Sequence, residues 1–113
     1  MARLRFGGKE DEDMFEVSSK TNGGVNEVKL VGRLDVKAAK DADEAFAKAA
    51  AEAKDVRLDL AGLDYIASAG LRALKRLRAA VRENGGTLTV SGVQDDVMDV
   101  LEMTGFAAML TFE

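Results

Sequence analysis

The chain contains no cysteine and no histidine. Lacking cysteine, it has neither a disulfide framework nor a thiolate metal site, a composition that suits a reducing compartment. Lacking both residues, it is excluded from Ser-His and Cys-His nucleophilic catalysis and from the His-containing zinc sites of many hydrolases. Phosphate-cradling loops are missing as well: there is no G-x-x-x-x-G-K-[ST] run, and the glycine pairs beginning at Gly7, Gly23 and Gly85 lack G-x-G-x-x-G spacing. Asp59 and Asp64 are left as candidates for paired-carboxylate chemistry, with no supporting motif around them. The expectation is a protein that is not an enzyme, with no catalytic residue, no cofactor and no metal.

Aromatic side chains make up only 5% of the residues and the formal net charge is -4, which argues against a stacking platform or an overall attraction for nucleic acid. No stretch approaches the ~18 apolar residues of a membrane span, and the segment after Met1 lacks the apolar core of a signal peptide. A cytoplasmic location is therefore expected. The 113 residues, 47% of them hydrophobic, fit one domain built on one core.

Positive signals centre on Asp55–Val81. Val56, Leu58 and Leu60 alternate with Arg57 and Asp59, the pattern of a buried strand bounded by Gly62. Leu71, Leu74, Leu77 and Val81 recur at helical spacing after a tight loop. Ser68 stands where that helix begins. Its hydroxyl has two readings: a cap for an orphan amide of the first turn, worth about 1 kcal/mol, or an acceptor of phosphate, whose charge suits the amides and positive dipole end of a helix.

In chain order, residues 1–13 pass from basic to acidic and are expected to form an arm, with the domain proper spanning 14–113. Met14–Ser19 reads as a strand and Thr21–Gly24 as an Asn-Gly turn leading into a second strand at Val28 and Leu30. Asp35 can cap a helix whose Ala38, Ala42, Ala45, Phe46, Ala49 and Ala53 form a stripe of mostly small side chains. The helix after Ser68 stops at Asn84, Gly85 and Gly86, and Thr87–Ser91 is a strand. A short helix carries Val97, Val100 and Leu101, with Asp95 and Asp96 in its first turn, and Gly105 ends it. Phe106 is expected to fold back on the last turn, and Met109–Phe112 to add a final strand. The order β-β-α-β-α-β-α-β predicts a mixed α/β sheet whose last three strands run parallel, with helices packed on it.

Charge is segregated. Arg72, Lys75, Arg76, Arg78 and Arg82 crowd one helix, whereas Asp95, Asp96, Asp99, Glu102 and Glu113 follow Gln94 with no base among them. A basic helical face is ordinarily a solvated one; as a binding surface it fits an acidic protein better than nucleic acid.

GRLD at Gly32–Asp35, LDLAGLDYIASAGLR at Leu58–Arg72, GGTLTVSGV at Gly85–Val93 and VLEMTGF at Val100–Phe106 together resemble the STAS domains of bacterial anti-sigma-factor antagonists. The resemblance covers most of the chain beyond residue 13. It implies a single STAS-like α/β domain that binds an anti-sigma factor, a partner that in this family is also an ATP-dependent serine kinase. It also implies release by phosphorylation of one serine, two positions before the glycine that opens the helix. Ser68, before Gly70, matches that serine.

The same resemblance makes Asp35, Asp64, Ser68, Ala69, Gly70 and Arg72 the expected partner-facing residues. Asp35 doubles as a helix cap, and Asp64 as a turn residue ordering the loop. Many members carry Asp before the serine and Ser or Thr after it; here Ala67 and Ala69 flank Ser68. STAS domains also serve as adaptor subunits of lipid-transport ATPases, so an unphosphorylated adaptor is the alternative the resemblance allows.

Overall fold

A computed structural model describes residues 14–113 and the backbone of Ala2–Phe6. A six-stranded sheet runs in the order β1 (Ala2–Phe6), β2 (Phe15–Asn22), β3 (Val25–Leu34), β4 (Asp55–Ile66), β5 (Leu88–Ser91), β6 (Thr111–Phe112). The first two pairings are antiparallel and the remaining three parallel. Three helices make the crossovers: α1 (Val36–Glu52) joins β3 to β4, α2 (Ser68–Glu83) joins β4 to β5, and α3 (Asp95–Met103) with a 3-10 turn at Phe106–Met109 leads to β6. The sequence order is thus reproduced from the second strand onward. The Ala2–Phe6 backbone pairs with β2, and the rest of the expected 1–13 arm lies outside the described residues.

Alternation decides the faces. Phe15, Val17, Val28, Leu30, Val56, Leu58, Leu60 and Val90 are buried and form one core with Ala38, Ala42, Phe46 and Ala49 of α1 and with Leu71, Leu74, Leu77 and Val81 of α2. Each large aliphatic group removed from water there contributes about 1.5–3 kcal/mol, and the alanine stripe lets α1 lie close to the sheet. The intervening residues leave a polar outer face, where Arg57 reaches Glu27 at 3.2 Å and Glu113 at 2.5 Å.

Three expectations change in detail. The hairpin turn is Gly23–Gly24, with Asn22 still paired to Val25, because both turn residues have positive φ (60° and 87°). The final strand is only Thr111–Phe112; Phe106–Met109 closes into a 3-10 turn after Gly105, and Phe106, expected on the last turn of the helix, packs partly buried against the core. The tight loop after Gly62 is strand: β4 continues to Ile66, with register shifts against β3 between Lys29 and Val31 and between Gly32 and Arg33. The first bulge is held by Asp59, which accepts from the Ala61 amide at 2.9 Å, and by Gln94, which donates to the Ala61 carbonyl at 2.7 Å.

Candidate functional site

The site grows from the last paired residues of two parallel strands. Leu34 of β3 pairs with Ile66 of β4, and the next residue of each chain segment, Asp35 and Ala67, is the N-cap of α1 and of α2. The Ala67 amide donates to the Leu34 carbonyl at 2.9 Å, which locks the second helix start to the first strand end. Gly70 makes this approach possible. A methyl group there would stand 2.7 Å from Leu34 Cγ and 3.0 Å from the Leu34 carbonyl oxygen, so only glycine fits without displacement. Two helix N-termini, each a bundle of orphan amides with partial positive charge, therefore lie side by side at one edge of the sheet.

The two ends are finished differently. Asp35 is the cap that its residue type predicts: its Oδ1 accepts from the Ala38 amide at 3.0 Å. Ala67 offers no oxygen, and α2 has no side-chain cap. Ser68 is therefore not the cap. It is the first helical residue, one place too late to accept from its own first turn, because the β-ladder bond of Ala67 holds the extended cap geometry at the alanine. Its side chain is exposed. Neither α1 nor α2 carries an acidic residue in its first turn, and the Asp35 carboxylate sits at the start of α1.

Of the other expected residues, Ala69 is half-buried, Gly70 is buried beneath the edge, and Arg72 is exposed on the next turn of α2. Asp64 does not order a loop. It is an exposed residue of β4, placed in extended backbone by the continuation of the strand. Asp59, bonded into the bulge, and Asp64 form no acid-base couple with a third ligating group, and no cluster of three His, Cys, Asp or Glu residues occurs among the described residues.

Sequence reasoning passed over three residues here. Arg33 and Tyr65 pair across β3 and β4, one step before Leu34 and Ile66, and the Arg33 guanidinium sits 4.0 Å from the centre of the Tyr65 ring. Tyr65 is 39% exposed, and Val36, the first residue of α1, is 70% exposed. The signal was the chain's sole tyrosine, hidden because the strand had been cut short at Gly62. The exposed Val36, Tyr65 and Ser68 thus all lie within two residues of the Leu34–Ile66 rung.

The STAS domain profile matches residues 16–113. The chain belongs to the STAS domain family. Its fold is similar to that of an anti-sigma factor antagonist from Mycobacterium paratuberculosis, with a TM-score of 0.78 at 18% identity, covering 87% of this chain and 84% of that one. It is similar also to the Bacillus cell fate determinant SpoIIAA in its phosphorylated form, with a TM-score of 0.66 at 13% identity over 88% and 90% of the two chains. A sulfate transporter family protein from Wolinella succinogenes shares the fold at a TM-score of 0.70 and 22% identity, over 82% and 80%. No curated protein matches the sequence significantly. Among the described residues, no helix is long and apolar enough to cross a membrane.

Proposed function

We propose that this protein is an anti-sigma-factor antagonist that binds an anti-sigma factor through the edge bearing Asp35, Val36, Asp64, Tyr65, Ser68, Ala69, Gly70 and Arg72. In this reading it acts by binding and performs no reaction of its own. The partner's serine kinase activity phosphorylates Ser68, and the modified protein is released. One observation carries the reading: Ser68 is an exposed first-turn residue that caps nothing, next to a second helix start. A phosphate adds a charge of about -1.5 to -2. The α2 amides and the absence of first-turn acids accommodate that charge within the domain. At a packed interface the same charge must be desolvated, and beside a partner carboxylate it repels. The domain tolerates the modification and the complex does not.

The test incubates the protein with ATP and the serine kinases encoded beside it, locates any phosphate by mass, and measures partner binding before and after. Phosphate on Ser68 with loss of binding supports the switch. A protein left unmodified by every such kinase, yet binding its partner, supports the adaptor reading instead, to which the fold shared with a transporter-family protein and the alanines flanking Ser68 lend weight.

A further inference from the structure

At the opposite end of α2 from Ser68, a cavity of about 220 Å³ opens between the helix, the start of β5 and the turn into β6. Its walls include Arg78 and Arg82 from the helix, Thr87 and Leu88 from the strand, and Met109 and Leu110 from the turn. Arg78 and Arg82 are one helical turn apart and so share a face. Three other guanidiniums are engaged, Arg57 with Glu27 and Glu113, Arg76 with Asp43, and Arg33 with the Tyr65 ring, while Arg72 stands exposed near the start of the helix, away from any such cavity. Among the described residues Arg78 and Arg82 have no ion pair or hydrogen bond, although acidic residues outnumber basic ones in the chain by 20 to 16.

Nor are these two guanidiniums needed to finish the helix. The Val81 and Arg82 carbonyls already accept from the amides of Gly86 at 2.9 Å and Gly85 at 3.0 Å, and the Ala80 carbonyl from Asn84 at 3.2 Å. Asp55, at the start of β4, accepts instead from the Thr87 amide at 2.8 Å.

We infer that this cavity binds a small organic anion, with the carboxylate or phosphate head held by Arg78 and Arg82 and a short aliphatic part lying against Leu88, Met109 and Leu110. A guanidinium offers a planar fork of donors that matches either head group. Thr87 adds a hydroxyl. The lining sets the class: two guanidiniums and a hydroxyl beside a short run of apolar side chains match an anionic head group carrying a few carbons.

The test titrates the full chain with butyrate, butyl phosphate and inorganic phosphate while following the methyl resonances of Met109, Leu110 and Leu88. Saturable shifts with butyrate or butyl phosphate, at lower concentration than with inorganic phosphate, are expected. Which of the two saturates first distinguishes a carboxylate from a phosphate ligand. The R78Q/R82Q double variant should weaken binding at least tenfold with unchanged amide dispersion, while K75Q, outside the cavity, should bind as the parent does. Should the double variant fail to fold, each single variant is measured instead, and a loss in neither overturns the inference. So does the absence of saturation up to about 10 mM, where even a millimolar site would be nine-tenths filled. Equal affinity for inorganic phosphate would overturn the aliphatic half of the site.

Discussion

Gly70, in the first turn of α2, lies against Leu34, the last residue of β3, closely enough that a methyl group would come within 2.7 Å of its Cγ. Leu34 is fully buried and its carbonyl is held by the Ala67 amide, so neither contact can yield. Gly70→Ala is expected to cost about 1–3 kcal/mol by overpacking, outweighing the helix preference of alanine, which is worth about 1 kcal/mol. A urea midpoint unchanged by the substitution would show that the two helix starts have room to separate.

The unequal capping of the two helices gives a paired expectation. Asp35→Ala should lower stability by about 1 kcal/mol through loss of the bond to the Ala38 amide, whereas Ser68→Ala should leave it within about 0.5 kcal/mol. Thermal or chemical unfolding of both variants checks this. Equal losses would mean that the serine does cap in solution.

At the interface the ranking reverses. Under the proposed switch, Ser68→Asp should weaken binding to an anti-sigma partner by at least ~1 kcal/mol, and Ser68→Ala should bind as the parent does. Titration calorimetry with the partner measures both. A single carboxylate carries less charge than phosphate, so the phosphorylated protein should show the larger loss.

Tyr65 tests how far the binding edge extends. Its ring is 39% exposed and stacked under Arg33, the sort of rigid amphipathic group that carries interface energy. Tyr65→Ala should reduce partner affinity by about 1–2 kcal/mol with little change in unfolding, and Tyr65→Phe should retain most of it. If Tyr65→Ala binds normally, the partner approaches from the helix side only.

On the polar face, the hydrogen bond that Arg57 donates to Glu113, then the Glu113 charge, and secondarily Glu27, raise the Arg57 pKa above its usual value. An arginine raised in this way contributes in full below its unfolded pKa and loses that contribution only as the pH rises through the folded one, in strong alkali, so the contribution is flat through neutrality. Because the group is exposed, Arg57→Gln should produce a small loss of stability that shrinks as salt is added. A loss insensitive to ionic strength would point to packing by the arginine stem instead.

Much of this architecture could be read from local pattern. The alternation of Val56, Leu58 and Leu60, the Asp35 cap and the stop at Asn84–Gly85 each depend on neighbours a few residues away, and each is found in place. What escaped depends on pairing. A bulge breaks the two-residue period, so β4 read as a loop after Gly62, and with it Asp64 and Tyr65 were misplaced. The cap of α2 was set one residue late because serine is locally the better cap, while the ladder bond of Ala67 to Leu34 fixes the start at alanine. Nothing local could reveal that Asp35 and Ser68 are neighbours; that follows from the register of β3 against β4.

Since Leu34 and Ile66 form one rung of the sheet, α1 and α2 leave it like two brackets bolted to the same plate. Their relative position is set by buried backbone hydrogen bonding and by the glycine contact, not by anything Ser68 contributes. A phosphate on that serine would change the potential of the surface and leave its outline as it was. Under the proposed switch, the bound and released forms would present the same shape carrying different charge, and discrimination between them should fade as ionic strength rises.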